Sequence, residues 1–62
     1  MRVSELLKNI KKYGHCEFVR HGAEHDIWKN RDTGIEFSIP RHKRKEIKTG
    51  TANSILKDAG LK

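Results

Sequence analysis

Five side chains in this sequence have the chemistry to hold a metal or to move a proton near neutral pH: His15, Cys16, His21, His25 and His42. Two of them stand in the segment RHGAEHDIWKN, Arg20 to Asn30, where a Gly-Ala pair precedes His25 and a carboxylate flanks it on each side. A structural zinc site needs paired Cys and His spacings. His21 and His25 supply one such gap, but a single cysteine leaves the pattern half made. Nucleophilic catalysis needs an exposed, activated thiolate. Nothing beside Cys16 supplies that activation, so it reads as a small, half-buried residue at the start of a strand. General acid–base chemistry remains, because an imidazole exchanges protons at working pH. Strand alternation places Asp26 on the opposite face from His25, which makes it a poor partner for orienting that ring. On the residues alone, His25 reads first as a surface residue of a strand and second as a catalytic base.

The elements that must position these groups follow from hydrophobic spacing. Val3, Leu6, Leu7 and Ile10 recur with the period of a helix. Lys11 and Lys12 suit its last turn, and Gly14 suits its left-handed end. Three short strands are expected next: CEFVRH (Cys16 to His21), HDIWKN (His25 to Asn30) and IEFSIP (Ile35 to Pro40). Phe18 is the surest inward residue of the first. Ile35, Phe37 and Ile39 share one face of the third. NRDTG forms a hairpin loop in which Gly34 supplies a positive φ, and Pro40 ends the last strand. Whether Ile27 or Trp28 turns inward decides which face carries His25. Ala52, Ile55, Leu56 and Ala59 mark a second helix, capped by Thr49 or Thr51 and closed by a Schellman turn at Gly60-Leu61. The expected fold is α+β with the order α-β-β-β-α: a three-stranded antiparallel sheet carrying two helices on one face, around one core.

Composition sets the outer limits. A chain of 62 residues makes one domain, residues 1–62, and buries only about 60% of its unfolded surface. One cysteine excludes an internal disulfide and fits a reducing, cytoplasmic setting. No apolar run approaches the roughly 18 residues of a membrane span, and MRVSELLKNIKKYG lacks the continuous apolar stretch of a signal peptide. Fourteen Lys and Arg oppose eight Asp and Glu, a net charge of +6, which attracts polyanions. Five of the eight residues in RHKRKEIK (Arg41 to Lys48) are cationic. Between a strand end and a helix start, they would stand beside free backbone N–H groups, and both features attract phosphate. The other reading of this run is a solvated, self-repelling linker.

Three stretches together carry a family resemblance: an opening amphipathic helix ending in YG, then FVRHGAEHDIWKN, then SIPRHKRKEIKTGTANSILKDAGL. A small-residue turn leads into His25, with Ile27-Trp28 following. With these features the chain resembles the HicA family of toxin–antitoxin messenger-RNA endoribonucleases along nearly its whole length. It departs from the family pattern at Glu24, where Asn or Ser is usual, and at Ala23 in place of a second glycine. The resemblance implies a fold like a double-stranded-RNA-binding domain and His25 as the catalytic residue. It also implies cleavage of mRNA without metal or cofactor, and a HicB-type antitoxin as inhibitor. RNA contacts are then expected at Arg20, Gly22, Lys29, Arg41, His42, Lys43, Arg44, Lys45 and Lys48. Backbone N–H groups near Gly22 would assist, and His42 would be a second proton donor. Two rival readings keep their place: an RNA-binding module without cleavage, and a basic docking domain for an acidic partner.

Overall fold

The computed structural model describes residues 1–62. Helix α1, Val3–Tyr13, buries Val3, Leu6 and Ile10 completely, with Leu7 half-covered beside them. Gly14 ends it in the left-handed conformation (φ 81°), its N–H donating to the Ile10 carbonyl. The start of α1 is tied to the basic segment. The Val3 and Ser4 N–H groups donate to the Lys45 and Lys43 carbonyls, each at 3.0 Å, and the Ile47 N–H donates to the Met1 carbonyl at 2.8 Å. Arg2 and Glu46 form a β-bridge, and Ile47 is buried in the core. These bonds occupy donors that a helix start otherwise leaves free. They also turn Arg41–Lys48 from a linker into a pinned loop.

Helix α2, Thr49–Ala59, buries Ala52, Ile55, Leu56 and Ala59. The expected threonine cap does not form. Lys48 is the N-cap residue, no side chain caps the helix, and both threonines lie inside it. Burial of Ile47 sets where the chain enters α2, so the capping position falls one residue before Thr49. The other end matches expectation: Gly60 is left-handed (φ 91°), the Leu61 N–H donates to the Leu56 carbonyl at 2.9 Å, and Leu61 folds onto the core.

Strands β1 (Cys16–His21), β2 (His25–Asn30) and β3 (Glu36–Pro40) form one antiparallel sheet in the order β1-β2-β3. The element order is the α-β-β-β-α read from the sequence. Gly34 supplies the positive φ between β2 and β3. Trp28 pairs with Phe18 on one side and with Phe37 on the other. Directly paired residues share a face, and Phe37 and Ile39 are buried with both helices. Trp28 is therefore the inward residue, together with Asp26 and Asn30, and parity puts His25, Ile27 and Lys29 on the opposite face.

Two expected core residues are not in the core. Phe18 faces the helices by register but is 44% exposed, and Ile35 is 47% exposed and precedes β3. Strand β1 lies at the sheet edge, and the helices leave its Phe18 end uncovered. A bulge at Val19 shifts the alternation and brings the His21 ring to 4.8 Å from that of Phe18. Trp28 meets Phe18 edge-on at 6.0 Å, and its buried Nε1 has no partner. Asn30 is the one buried polar residue. Its Nδ2 donates to the Asp58 carbonyl at 3.2 Å, and its Oδ1 accepts from the Asp32 and Thr33 N–H groups at 2.9 and 3.4 Å. This one amide ties the β2–β3 loop to the last turn of α2.

Candidate functional site

The turn between β1 and β2 is built by close approach. The Gly22 N–H donates to the His25 carbonyl at 2.7 Å, and a Cβ at Gly22 would sit 2.8 Å from that same oxygen. No residue of the turn has a positive φ, so Ala23 fits without strain. The turn delivers His25 to the first position of β2, opposite Pro40. The His25 side chain is exposed and forms no hydrogen bond within the chain.

His25 borders three adjoining clefts. One, of about 480 Å³, is lined by Ala23, Glu24, Pro40, Arg41, His42 and Lys45. A second runs along the pinned loop, past Lys45, Ile47 and Lys48 to Thr51. A third passes over β3 to Thr51, Ser54 and Asp58 of α2. Asp26 fixes the Arg41 wall of the first. Its Oδ1 forms an ion pair with Arg41 Nε at 3.2 Å and lies 2.8 Å from His21 Nδ1. Arg41 is thereby held at the mouth of the cleft, while Lys45 and Lys48 form no ion pair. Glu24 is the opposing charge in the same cleft.

The structure thus brings His25 together with Arg41, His42, Lys45 and Lys48. It separates the other expected residues. Arg20 pairs with Glu36 at 3.6 Å and Lys29 with Glu17 at 3.5 Å, on the open face of the sheet, and neither lines a cleft with His25. Lys43 faces α1 instead, and Arg44 lines no cleft. The Gly22 N–H is taken by His25 O, so it is not a free donor for a ligand. Sequence spacing carries no signal for the Asp26–Arg41 pair or for the α2 residues, because distant segments supply them. Cys16 stands apart from this chemistry. Its Sγ–H donates to the Ala59 carbonyl at 3.4 Å, and burial pushes its thiol above the usual cysteine value. That is the opposite of an activated nucleophile.

Fold and site define a class: a small α+β domain in which a turn presents one free histidine to a cleft walled by a pinned basic loop. The family model for the HicA toxin of bacterial toxin–antitoxin systems matches residues 3–61, and the chain belongs to that family. No curated protein and no solved structure matches the chain. Family membership makes this chain a toxin component and implies an antitoxin partner. No helix is long and apolar enough to cross a membrane.

Proposed function

We propose that this toxin is a metal-independent endoribonuclease that cuts mRNA in the cytoplasm, arrests translation and growth, and is neutralised by a HicB-type antitoxin. Residues 1–62 act as one toxin domain, similar in element order to a double-stranded-RNA-binding domain. The observation that supports this reading is the shared cleft: a histidine free of protein partners beside Arg41, His42 and Lys45. Nε2 or Nδ1 of His25 accepts a proton from a ribose 2′-OH or from water, and the oxygen so released attacks phosphorus. Charge then builds on the phosphoryl oxygens, where Arg41, Lys45 and Lys48 offset it. His42, on the same cleft, supplies a proton to the departing oxygen. Arg41 is positioned before substrate arrives, because Asp26 already holds its Nε.

Labelled RNA incubated with the purified protein in EDTA tests this directly. Fragments are expected from the wild type, and none from a His25→Ala variant that retains its circular-dichroism spectrum. Cleavage by the variant would remove His25 from the mechanism. A second reading, RNA binding without cleavage, is favoured by one observation: Glu24 places a carboxylate in the cleft where phosphate would sit. It expects salt-sensitive binding and intact RNA in the same experiment.

A further inference from the structure

A second cationic cleft is walled by α1 and the pinned loop. Ser4, Leu7, Lys8 and Lys11 line one side, and Lys43 lines the other, around about 290 Å³. The four helix positions fall on one face of α1. Three lysines therefore border one cleft whose wall holds no carboxylate. Glu5, the only acid of α1, lies outside it. None of the three lysines forms an ion pair. Like charges one helical turn apart destabilise a helix, and Lys43 adds to that repulsion. The loop cannot relieve it by swinging away, because the Ser4 N–H holds the Lys43 carbonyl at 3.0 Å and the Val3 N–H holds the Lys45 carbonyl at 3.0 Å. An anion between the lysines would relieve it.

The same pinned loop serves this cleft and the histidine site. Lys43 lines this cleft and Lys45 lines the His25 cleft. The two residues are two apart on a fixed loop, at most about 7 Å between Cα atoms. Half-covered Leu7 adds an apolar floor on which a ribose or a base edge can rest.

We propose that Lys8, Lys11 and Lys43 form a second phosphate-binding site, which holds the same RNA strand that passes His25. The inference rests on the proposed RNA-cleaving function and extends its footprint onto α1. A strand of regularly spaced phosphates fits two cationic clefts lined by one fixed loop, Lys43 in the one and Lys45 in the other. Lys8 and Lys11 are positioning residues here: they set affinity and register and take no part in bond breaking.

The test compares three proteins: wild type, Lys8→Gln/Lys11→Gln, and Lys57→Gln/Lys62→Gln. The last removes the same charge elsewhere. Glutamine matches lysine in helix propensity, so α1 persists. Binding of a 2′-O-methyl RNA strand, which has no 2′-OH to attack phosphorus, is followed from 50 to 200 mM salt. Each lost phosphate contact reduces the slope of log K against log[salt] by about 0.7 for a single strand. Two lost contacts make the variant's affinity loss across that range about 7-fold smaller than the wild type's. The Lys57→Gln/Lys62→Gln protein keeps the wild-type slope. With cleavable RNA, Lys8→Gln/Lys11→Gln raises KM and leaves kcat unchanged. An unchanged slope in Lys8→Gln/Lys11→Gln overturns the second site while the proposed function stands. A variant that loses affinity only for the antitoxin also overturns it, and assigns the cleft to an acidic protein surface. A wild type that neither binds nor cuts RNA overturns both.

Discussion

Replacing Gly22 with alanine tests whether the β1–β2 turn aims His25. The added Cβ would stand 2.8 Å from the His25 carbonyl oxygen, against an ordinary contact that begins at 3.4 Å. Backbone must move by about 0.6 Å to restore that contact. The atom in the way is also the acceptor of the Gly22 N–H bond at 2.7 Å, so the shift stretches or breaks it. Overpacking costs about 1–3 kcal/mol and the lost bond about 0.5–1.5 kcal/mol. Reduced unfolded-state freedom offsets about 0.4–1 kcal/mol of this. The net loss is about 0.5–4 kcal/mol, a fall in Tm of roughly 2–32 °C for a domain this small. A shift of this size at a catalytic residue lowers the cleavage rate on the order of 10- to 100-fold. Gly50→Ala is the control. That position is inside α2 with nothing within 4 Å of a new Cβ, so alanine stabilises by up to about 1 kcal/mol. Thermal melts and RNA-cleavage rates of both variants decide the matter. A Gly22→Ala protein as stable as the wild type refutes the steric account. One that is destabilised but cuts at the wild-type rate refutes the link between turn geometry and His25.

Further outcomes are expected elsewhere in the chain. Glu24→Gln removes the one carboxylate lining the cleft that His25 shares with Arg41, His42 and Lys45, and a charge about 6 Å from a phosphate is worth about 0.7 kcal/mol in water. RNA affinity in a filter-binding assay should therefore rise about 3-fold at low salt and lose that gain as salt screens the site. Asn30→Ala strips three hydrogen bonds from a buried junction and leaves the Asp58 carbonyl without its side-chain donor. Urea titration should show a loss of about 2–3 kcal/mol. The Cys16 thiol is raised by desolvation, so the folded state holds its proton more tightly than the unfolded chain. Its contribution is present below the unfolded pKa and is lost as pH climbs through the folded one. Wild-type Tm should drop at alkaline pH more steeply than that of Cys16→Ala, and parallel curves would contradict the assignment.

The elements were legible because their signals are local. Val3, Leu6 and Ile10 show helical spacing within a few residues, and Gly14, Gly34 and Gly60 mark the left-handed positions that end or turn the chain. Net charge and the run Arg41–Lys48 pointed to a polyanion without any knowledge of the fold. The family could be read from contiguous stretches for the same reason. Phe18 faces inward as its strand pattern expects, yet it and Ile35 stay exposed, because hydrophobicity states a preference for burial but not whether another element covers the position. The threonine cap failed because Ile47, a core contact, chose the entry point of α2.

What the sequence determined by itself is the element order, the charge and the histidine at the turn. Tertiary structure alone decided the face of β2. Pairing of Trp28 with buried Phe37 sends Trp28 inward, and period 2 then places His25 on the other side. It also decided which cations meet His25. Arg20 and Lys29 are near it in sequence but pair with Glu36 and Glu17, whereas Arg41 and Lys45 come from a loop fifteen or more residues later. That loop is held in place by hydrogen bonds to the first residues of the chain. Such pairings depend on which distant segments pack together, and no local pattern of residue types encodes that.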